Sequence, residues 1–337
     1  MGDQEEFEAK LATALRKHYG DTAKPAKLTR LSGGASQELW SFSTKIGDLE
    51  QPLILRRGMG GTDKASNSTA IPLATEAAVL TAAGQNGVTC PQVRFVLDPD
   101  QDGMGAGYVM DAIAGETIAR KILRDEEYAA ARKVLARDCG AAMAGIHSVP
   151  QDKLPEMPVM DAATQLNAYR EIYDGFGDPH PVFELAFRHL EERLPANPDT
   201  PLLVHGDFRN GNIIVNEQGL AAIIDWELAH LGDPMEDLGW ICVTSWRFGQ
   251  IDNPVGGFGQ REEMFAGYEA AGGPKVDPAR VHFWEVLGTL KWGIMCRIQM
   301  SAHVTGVARS VERAAIGRRA SETEIDLLAL LSAPEQA

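Results

Sequence analysis

The sequence contains few cysteines and no long apolar run, and each shortage excludes a class of protein. The four cysteines, Cys90, Cys139, Cys242 and Cys296, lie far apart and form no Cys-x-x-Cys pair, so neither a zinc site nor a disulfide framework is indicated. No uncharged apolar stretch reaches the roughly 20 residues that a membrane-spanning helix needs. The N-terminus, Met-Gly-Asp-Gln-Glu-Glu, has no apolar run and does not look like a signal peptide. We therefore expect reduced thiols, a cytoplasmic location and no membrane partner.

Positive charge is also scarce in this chain. Lys and Arg number 32 against 47 Asp and Glu, which gives a net charge of -15. Nucleic-acid binding requires a basic face that displaces counterions, so no nucleic-acid partner is expected. The excess of acid serves solubility and remains compatible with a cationic substrate. A chain of 337 residues is too long for one hydrophobic core and suits two lobes; we expect a monomer or a homodimer.

The hydrophobic pattern changes near residue 115. Before it, short alternating segments predict strands at 28–31, around Trp40 and Phe42, and at 52–56, 93–97 and 107–110. Helical spacing predicts helices at 5–19 and 74–83, the second capped by Thr69 or Thr75. The residues from 58 to 68 predict a polar loop. The pattern therefore predicts a small antiparallel β-sheet lobe over residues 1–112, supported by helices.

Residues 113–337 predict a larger, mainly helical lobe. Helices are predicted at 125–147, at 161–194 with a break at 175–181, and at 280–304, where Trp284, Leu287, Ile294 and Ile298 share one side. Short strands are predicted at 202–205, 211–215 and 220–224. The fold class predicted from these patterns is α+β with two lobes, and ligand clefts commonly lie between such lobes.

Two motifs in the second lobe carry the chemistry. The first is His205-Gly-Asp-Phe-Arg-Asn-Gly-Asn212, and the second is Ile224-Asp-Trp-Glu227. Asp207, Asn212 and Asp225 each stand at one end of a short apolar strand, so the spacing brings three oxygen ligands together. Mg²⁺ takes oxygen ligands, and an Asp five residues before an Asn matches the catalytic loop of protein kinases. The motifs predict ATP-dependent phosphoryl transfer.

These motifs resemble the aminoglycoside phosphotransferase family, which also includes choline-kinase-like and homoserine-kinase-like enzymes. The resemblance covers nearly the whole chain. The helix at 284–297 and Ala315-Ile-Gly-Arg-Arg319 resemble the subgroup of phosphotransferase domains found with acyl-CoA dehydrogenases. This likeness implies a protein-kinase-like bilobal fold, ATP and Mg²⁺ as cofactors, and a small-molecule hydroxyl as the phosphate acceptor.

The resemblance also assigns roles in the catalytic centre. Asp207 is the expected catalytic base, while Asn212 and Asp225 are the expected Mg²⁺ ligands. His205 is expected to brace the loop, and Arg209 is placed with these residues at the catalytic centre. The alternatives are structural, because an Asp at a strand end is often a cap or turn former, and His205 alone suits a structural histidine. Beyond the metal site, Asp233 is expected to order the loop and Asp237 to cap or brace the following helix.

The nucleotide site is assigned to the first lobe in the same way. Arg56 takes the place of the usual strand lysine and Glu76 is its expected partner. Met110 would border the adenine, whose edge would meet the carbonyl of Asp111 and the amide of Ile113. The nucleotide loop comprises Ser32, Gly33, Gly34 and Ser36. Two plainer interpretations remain: a Gly-Gly pair is also a common hairpin turn, and Arg56 with Arg57 could be an exposed strand end.

The acceptor is the least determined part of this prediction. Six residues are candidates to line its site: Arg209, Trp246, Trp292, Arg297, Gln299 and His303. The basic and aromatic residues of the 280–305 helix favour a neutral or anionic hydroxylated metabolite, and the subgroup resemblance suggests a hydroxyacyl-CoA. The alternatives are a nucleotide-binding pseudokinase or regulatory protein, because of Arg56, and a true aminoglycoside 3'-type kinase. A protein kinase is disfavoured because no Ala-Pro-Glu sequence follows Asp225.

Overall fold

A computed structural model describes residues 3–31, 37–58 and 70–332. The chain forms two compact units that both use several segments of sequence. The first unit comprises Met1–Gly115, Val149–Met157 and Ala221–Ala229, and the second comprises Glu116–Ser148, Pro158–Leu220 and His230–Ala337. The lobe boundary between residues 112 and 113 stays a prediction, since the chain returns to the first unit twice.

The first unit is built on a five-stranded antiparallel sheet in the order β1-β2-β3-β5-β4. The antiparallel sheet and both predicted helices are confirmed. Its elements are α1 (Asp3–Tyr19), β1 (Ala26–Leu31), β2 (Gln37–Ile46), β3 (Leu49–Gly58), α2 (Leu73–Gln85), β4 (Val93–Val96) and β5 (Gly107–Asp111).

The core of this unit explains where β3 places its side chains. Leu53 and Leu55 are fully buried in a cluster with Leu11 and Leu15 of α1. Successive side chains of a strand point to opposite faces, so Arg56 projects from the other face of β3. The alternation of the strand therefore directs the guanidinium of Arg56 away from the apolar cluster. On the opposite face of β3 it donates a hydrogen bond to Glu76 of α2.

The start of α2 differs from the prediction. Pro72 occupies the N-cap position and no side chain caps the helix there. Thr75 lies inside the first turn, so its assignment as the cap is wrong; Thr69 lies outside the described residues. Proline suits the entrance of a helix, because its missing N–H would have no helical partner there. Glu76 is buried in this first turn, where a carboxylate complements the positive end of the helix dipole.

The second unit is mainly helical and has short strands. In its small sheet, β10 pairs in parallel with β6 and antiparallel with β7. The elements are α3 (Ala119–Arg124), α4 (Ala129–His147), β6 (Val159–Met160), α5 (Ala162–Asp174), α6 (Pro181–Glu192), β7 (Leu202–Val204), β8 (Ile213–Asn216), β9 (Gly219–Ile223, whose last three residues belong to the first unit), β10 (His230–Gly232), α7 (Met235–Trp240), α8 (Arg261–Ala270), α9 (Pro278–Val304), α10 (Val311–Gly317) and α11 (Ala320–Ser332).

Helix α9 is the centre of the second unit. It confirms the predicted helix at 280–304, and α7, α10 and α11 pack against it. Its buried residues surround most of the helix between Val281 and Cys296, as expected of a helix enclosed by others. Of the four residues predicted to share one side, Trp284, Leu287 and Ile294 are buried and Ile298 is 38% exposed. In the part of the chain that the structure describes, no helix is both long and apolar enough to cross a membrane.

Two further helix predictions have clear outcomes. The break at 175–181 is confirmed, because α5 ends at Asp174 and α6 begins at Pro181. The helix predicted from residue 125 begins only at Ala129, after a short 3₁₀ turn over Glu126–Tyr128. Inside the unit, α4 packs closely on α8 at Gly140, where a Cβ atom would lie 2.0 Å from the carbonyl oxygen of Met264. Only a glycine allows the two backbones to approach this far.

Candidate active site

The first motif forms the loop between β7 and β8, and its centre is the carboxylate of Asp207. Oδ1 of Asp207 accepts hydrogen bonds from Trp240 Nε1 at 2.7 Å and from Arg209 Nε at 3.1 Å. Oδ2 accepts from Asn212 Nδ2 at 2.5 Å. Two of these donors are neutral and one is a cation. Together they hold the carboxylate in one orientation, which a catalytic base requires.

Asn212 forms several hydrogen bonds within the loop. Its Nδ2 also donates to the carbonyl oxygen of Asp207 at 3.0 Å, and its backbone N–H donates to the carbonyl of Arg209 at 2.9 Å. With the amide nitrogen turned to Asp207, the side-chain oxygen Oδ1 is the atom suited to a metal ion. Gly211 permits the turn, with a φ of +118° that side-chain-bearing residues rarely adopt.

His205 lies under the loop and is fully buried. Its Nδ1 accepts a hydrogen bond from the backbone N–H of Asp207 at 3.3 Å. Its own backbone N–H donates to Asp237 Oδ2 at 2.9 Å. The ring packs edge-on against Phe208 with the centroids 5.9 Å apart. These contacts are those of a bracing residue, and a chemical role for His205 stays a prediction.

Asp237 supports the loop from below. Its oxygens accept the backbone N–H groups of His205 and Gly206 at 2.9 and 3.0 Å, and Nε2 of His147 lies 3.1 Å away. Burial would raise the pKa of Asp237, but its hydrogen bond and attraction to His147, with a smaller contribution from His205, lower it overall. The expected role as a cap of the following helix is wrong, because Asp237 lies inside α7 and binds the loop between β7 and β8.

We expect Asp237→Ala to lower the free energy of unfolding by about 3–5 kcal/mol, because it leaves buried donors without an acceptor. Urea unfolding at pH 7 measures this, and Asp237→Asn, which keeps one acceptor oxygen, should lose less. The folded pKa is lowered, so the contribution is fully present above the ordinary aspartate pKa of about 4 and fades as the pH falls further. Wild-type stability in Asp237→Ala would contradict the bracing role.

A buried lysine lies behind the same loop. Lys291 of α9 is 7% exposed, and its Nζ lies 3.5 Å from the carbonyl oxygen of Gly206 and 4.6 Å from the ring centre of Trp240. Burial would lower its pKa, but Tyr169 and the carboxylates around it, among them that of Asp207, raise the pKa overall. Lys291 therefore remains charged and places a cation behind the loop between β7 and β8.

A second set of charged residues lies in the first unit around Arg56. Its Nε is 3.2 Å from Glu76 Oε2, and its Nη2 is 2.6 Å from Asp225 Oδ1 and 3.4 Å from Glu227 Oε2. Arg56 is 7% exposed, so its interpretation as an exposed strand end is wrong. Burial raises the pKa of Glu76 to about 7; Arg56 opposes the rise, and Asp225 and Glu227 add to it. The guanidinium of Arg56 thus forms ion pairs with three carboxylates, those of Glu76, Asp225 and Glu227.

Asp225 has an unusual backbone conformation. Its φ of +68° lies in the left-handed region, which non-glycine residues rarely adopt and which often marks a functional position. Its carboxylate offers hard oxygen donors of the kind that Mg²⁺ takes, and its assignment as a metal ligand stays a prediction. Among the described residues, no group of three or more His, Cys, Asp or Glu side chains is placed to hold a metal ion by itself.

The other predicted nucleotide residues have mixed outcomes. Met110 and Asp111 end β5, and Ile113 lies two residues beyond the end of the strand. The Asp111 side chain binds Arg94 through two hydrogen bonds, at 2.7 and 2.9 Å, and its backbone N–H donates to the carbonyl oxygen of Gln92 at 3.0 Å. At Asp111, the adenine assignment concerns only the carbonyl oxygen. That assignment stays a prediction. Ser32, Gly33, Gly34 and Ser36 lie outside the described residues.

The structure separates the predicted acceptor-lining residues into two groups. Trp246 packs between Trp240 and Trp292, with ring centres 5.3 and 4.8 Å apart, and Arg209 lies over Trp246 at 4.7 Å. The remaining three make other contacts: Arg297 binds Asp178, Gln299 binds Arg313, and His303 binds the backbone of Ser310. Trp240 was missed, because it stands 33 residues from Asp207 and no local motif marks it.

Comparison with known proteins identifies the family. A model of the phosphotransferase enzyme family matches residues 27–274. The chain belongs to this phosphotransferase family. A protein of Ralstonia eutropha described as an aminoglycoside phosphotransferase superposes with a TM-score of 0.73 at 20% identity, covering 96% of this chain and 97% of that one. The aminoglycoside phosphotransferase APH(4)-Ia, solved with AMP-PNP and hygromycin B, gives a TM-score of 0.63 at 15% identity, covering 96% and 99%.

These likenesses confirm the predicted α+β, protein-kinase-like bilobal fold. Sequence comparison adds a relative of a different kind. Over 80 residues the chain is 38% identical to acyl-CoA dehydrogenase family member 11 of Gallus gallus. These residues make up 23% of this chain and 10% of that protein. The matched region therefore spans about a tenth of the relative's length. The resemblance to phosphotransferase domains found with acyl-CoA dehydrogenases is confirmed at this level.

Proposed function

We propose that this protein transfers the γ-phosphate of ATP, in the presence of Mg²⁺, to a hydroxyl group of a small molecule. The observation that carries the proposal is the Asp207 carboxylate, held by Trp240, Arg209 and Asn212 in the loop that the family uses for catalysis. Membership of the phosphotransferase family supports it. Phosphoryl transfer requires the protein to position the reacting groups and requires little covalent chemistry from it.

In this proposal residues of the second unit bind the acceptor and orient its hydroxyl group. The carboxylate of Asp207 orients the acceptor hydroxyl and accepts its proton as the oxygen attacks phosphorus. Trp240 and Asn212 keep the carboxylate oriented, while Asp237 and His205 keep the loop in place. Arg209 and Lys291 supply positive charge beside a reaction that builds up negative charge.

Residues of the first unit would bind the nucleotide. Arg56 takes the role of the usual lysine, and its guanidinium can bind phosphate oxygens with two parallel hydrogen bonds. Glu76 fixes Arg56 from the side of α2. Asn212 and Asp225 would hold Mg²⁺, which neutralises phosphate charge when bound. Ser32, Gly33, Gly34 and Ser36 would contact the phosphates, and Met110, Asp111 and Ile113 would contact the adenine.

For the acceptor, we propose a hydroxylated metabolite and, as the specific candidate, a hydroxyacyl-CoA. Support for the specific candidate comes from the acyl-CoA dehydrogenase relatives that match part of this chain. Support for the broader class comes from the buried Lys291 and from Arg209 beside Asp207. Aminoglycosides are polycations, and these cations do not suit them.

An acceptor screen tests the proposal. Purified protein is incubated with ATP and Mg²⁺ and with hydroxyacyl-CoAs, sugars, amino alcohols, aminoglycosides or a protein substrate, and ³¹P NMR follows the products. We expect a new phosphate monoester with one class of small molecule, dependent on Mg²⁺ and absent in Asp207→Asn. If ATP binds but wild type and Asp207→Asn are equally inert, a nucleotide-binding regulator replaces the proposal. Phosphate on the protein substrate would instead indicate a protein kinase.

A further inference from the structure

Three tryptophans of the second unit form a continuous row that begins at the catalytic carboxylate. We call Trp240, Trp246 and Trp292 the tryptophan row. Trp240 donates its indole N–H to Asp207 at 2.7 Å. Its ring centre lies 5.3 Å from that of Trp246, which lies 4.8 Å from that of Trp292. The row therefore leads from Asp207 to Trp292, which is partly exposed.

A basic side chain lies over the ring of each member of the tryptophan row. Lys291 lies 4.6 Å from the centre of Trp240. Arg209 lies 4.7 Å from the centre of Trp246, and Arg319 lies 5.7 Å from that of Trp292. The carboxylates bound to these cations are Asp207, at 3.1 Å from Arg209, and Glu322, at 3.0 Å from Arg319. Arg209 and Arg319 are ion-paired but only partly buried, so an anion on this wall can compete with Asp207 and Glu322 for them, whereas a cation gains no such partner.

Two of the three indole N–H groups have no acceptor in the part of the chain that the structure describes. Nε1 of Trp246 and Nε1 of Trp292 are buried and have no hydrogen-bond partner within residues 3–31, 37–58 and 70–332. Trp246 itself is only 5% exposed. An indole N–H can only donate, and native proteins rarely leave buried donors unmatched, so each such group needs an explanation. An oxygen-rich ligand would supply the acceptor that both groups lack.

We propose that the tryptophan row is the acceptor-binding wall and that it selects hydroxylated acceptors bearing an anionic group, carboxylate or phosphate. This inference rests on the proposed function. The anion draws Arg209 and Arg319 toward itself and accepts the N–H groups of Trp246 and Trp292. Arg209 then leaves Oδ1 of Asp207, so binding of the correct acceptor releases the catalytic base from its ion pair. A neutral or cationic acceptor does not release it.

Binding of four matched three-carbon alcohols to the whole protein tests the wall. The probes are glycerate, glycerol 3-phosphate, neutral glycerol and the cationic 2-amino-1,3-propanediol, titrated by calorimetry without nucleotide. We expect at least one of the anionic probes to bind about ten-fold more tightly than glycerol, because charge-assisted hydrogen bonds are the strong ones. The amino alcohol should bind no better than glycerol. Comparison of glycerate with glycerol 3-phosphate then identifies the preferred anion.

Variants assign the binding to the tryptophan row. Arg319→Gln should weaken binding of the preferred anion about five- to ten-fold, and Trp292→Phe, which removes only the N–H and part of the ring, about three-fold. Arg318→Gln is the matched control, since Arg318 is exposed and adjacent, and it should bind like wild type. Far-UV circular dichroism and thermal unfolding check the fold of Trp292→Phe, while Arg319→Gln changes only a partly exposed side chain.

Two results would overturn the inference. The first is binding of glycerol or the amino alcohol as tight as that of both anions. The second is equal anion binding in Arg319→Gln and Arg318→Gln. The measurement involves no phosphate transfer, so it fails independently of the proposed function. Selective anion binding without any phosphotransfer would contradict the proposed function alone, whereas phosphotransfer that uses glycerate and the amino alcohol equally would contradict the tryptophan wall alone.

Discussion

Asp207→Asn is expected to lower the turnover number for phosphotransfer by about 10³- to 10⁴-fold, the range of a positioned general base and hydroxyl-orienting group. Asparagine keeps the shape of the side chain and one acceptor oxygen, so Trp240 and Arg209 still have a partner. It cannot take the proton from the acceptor hydroxyl. The expected loss therefore falls on the turnover number, with nucleotide affinity within about two-fold of wild type.

The control for this variant is Asp199→Asn, which removes the same charge from an exposed position of the second unit. Steady-state kinetics with the acceptor found by ³¹P NMR give the turnover number, and calorimetry with a non-hydrolysable ATP analogue gives the affinity. Urea unfolding verifies that both variants are folded. Turnover by Asp207→Asn within ten-fold of Asp199→Asn would remove Asp207 from the role of base.

Asp225→Asn is expected to weaken MgATP binding about a hundred-fold, since a charged oxygen ligand of a hard cation is replaced by a neutral one. Affinity for ATP in EDTA should stay close to wild type, because no metal is then involved. The fold should survive, because Arg56 keeps its contacts with Glu76 and Glu227. The difference between the two affinities isolates the metal contribution from general damage to the nucleotide site.

Asp48→Asn serves as the comparison, because Asp48 is exposed at the β2–β3 turn of the same unit. It removes an equal charge and should bind MgATP as wild type does. Calorimetry is run with Mg²⁺ and with EDTA on all three proteins. An unchanged MgATP affinity in Asp225→Asn would refute the metal assignment, and an equal loss with and without Mg²⁺ would assign Asp225 to the support of Arg56 instead.

Much of the fold could be predicted from the sequence because its signals are local. The strands of the first unit show alternation, the break before Pro181 is marked by glycine and proline, and α9 has a long helical pattern. The errors came from the ends of elements: Thr75 did not cap α2, and α4 began at Ala129. End positions depend on which neighbouring groups satisfy the terminal hydrogen bonds, and this is decided by packing.

The loop of Asp207 and Asn212 is the part of the candidate site that the sequence determined by itself. Asp207 and Asn212 are five residues apart in one turn, so their hydrogen bond needs only the local chain and its glycines. The arginine in place of lysine at residue 56 was equally visible in the sequence. Its burial among Glu76, Asp225 and Glu227 was not, because Glu76 lies 20 residues away and the other two about 170.

The support of the loop was decided only by the tertiary structure. Trp240 and Asp237 reach the loop from α7, and Lys291 reaches it from α9, 85 residues beyond Gly206. No short motif relates residues so far apart, because side chains meet there only when helices pack. The tryptophan row has the same origin: the sequence shows three separate tryptophans, and the packing of α9 brings them into one row beside the catalytic carboxylate.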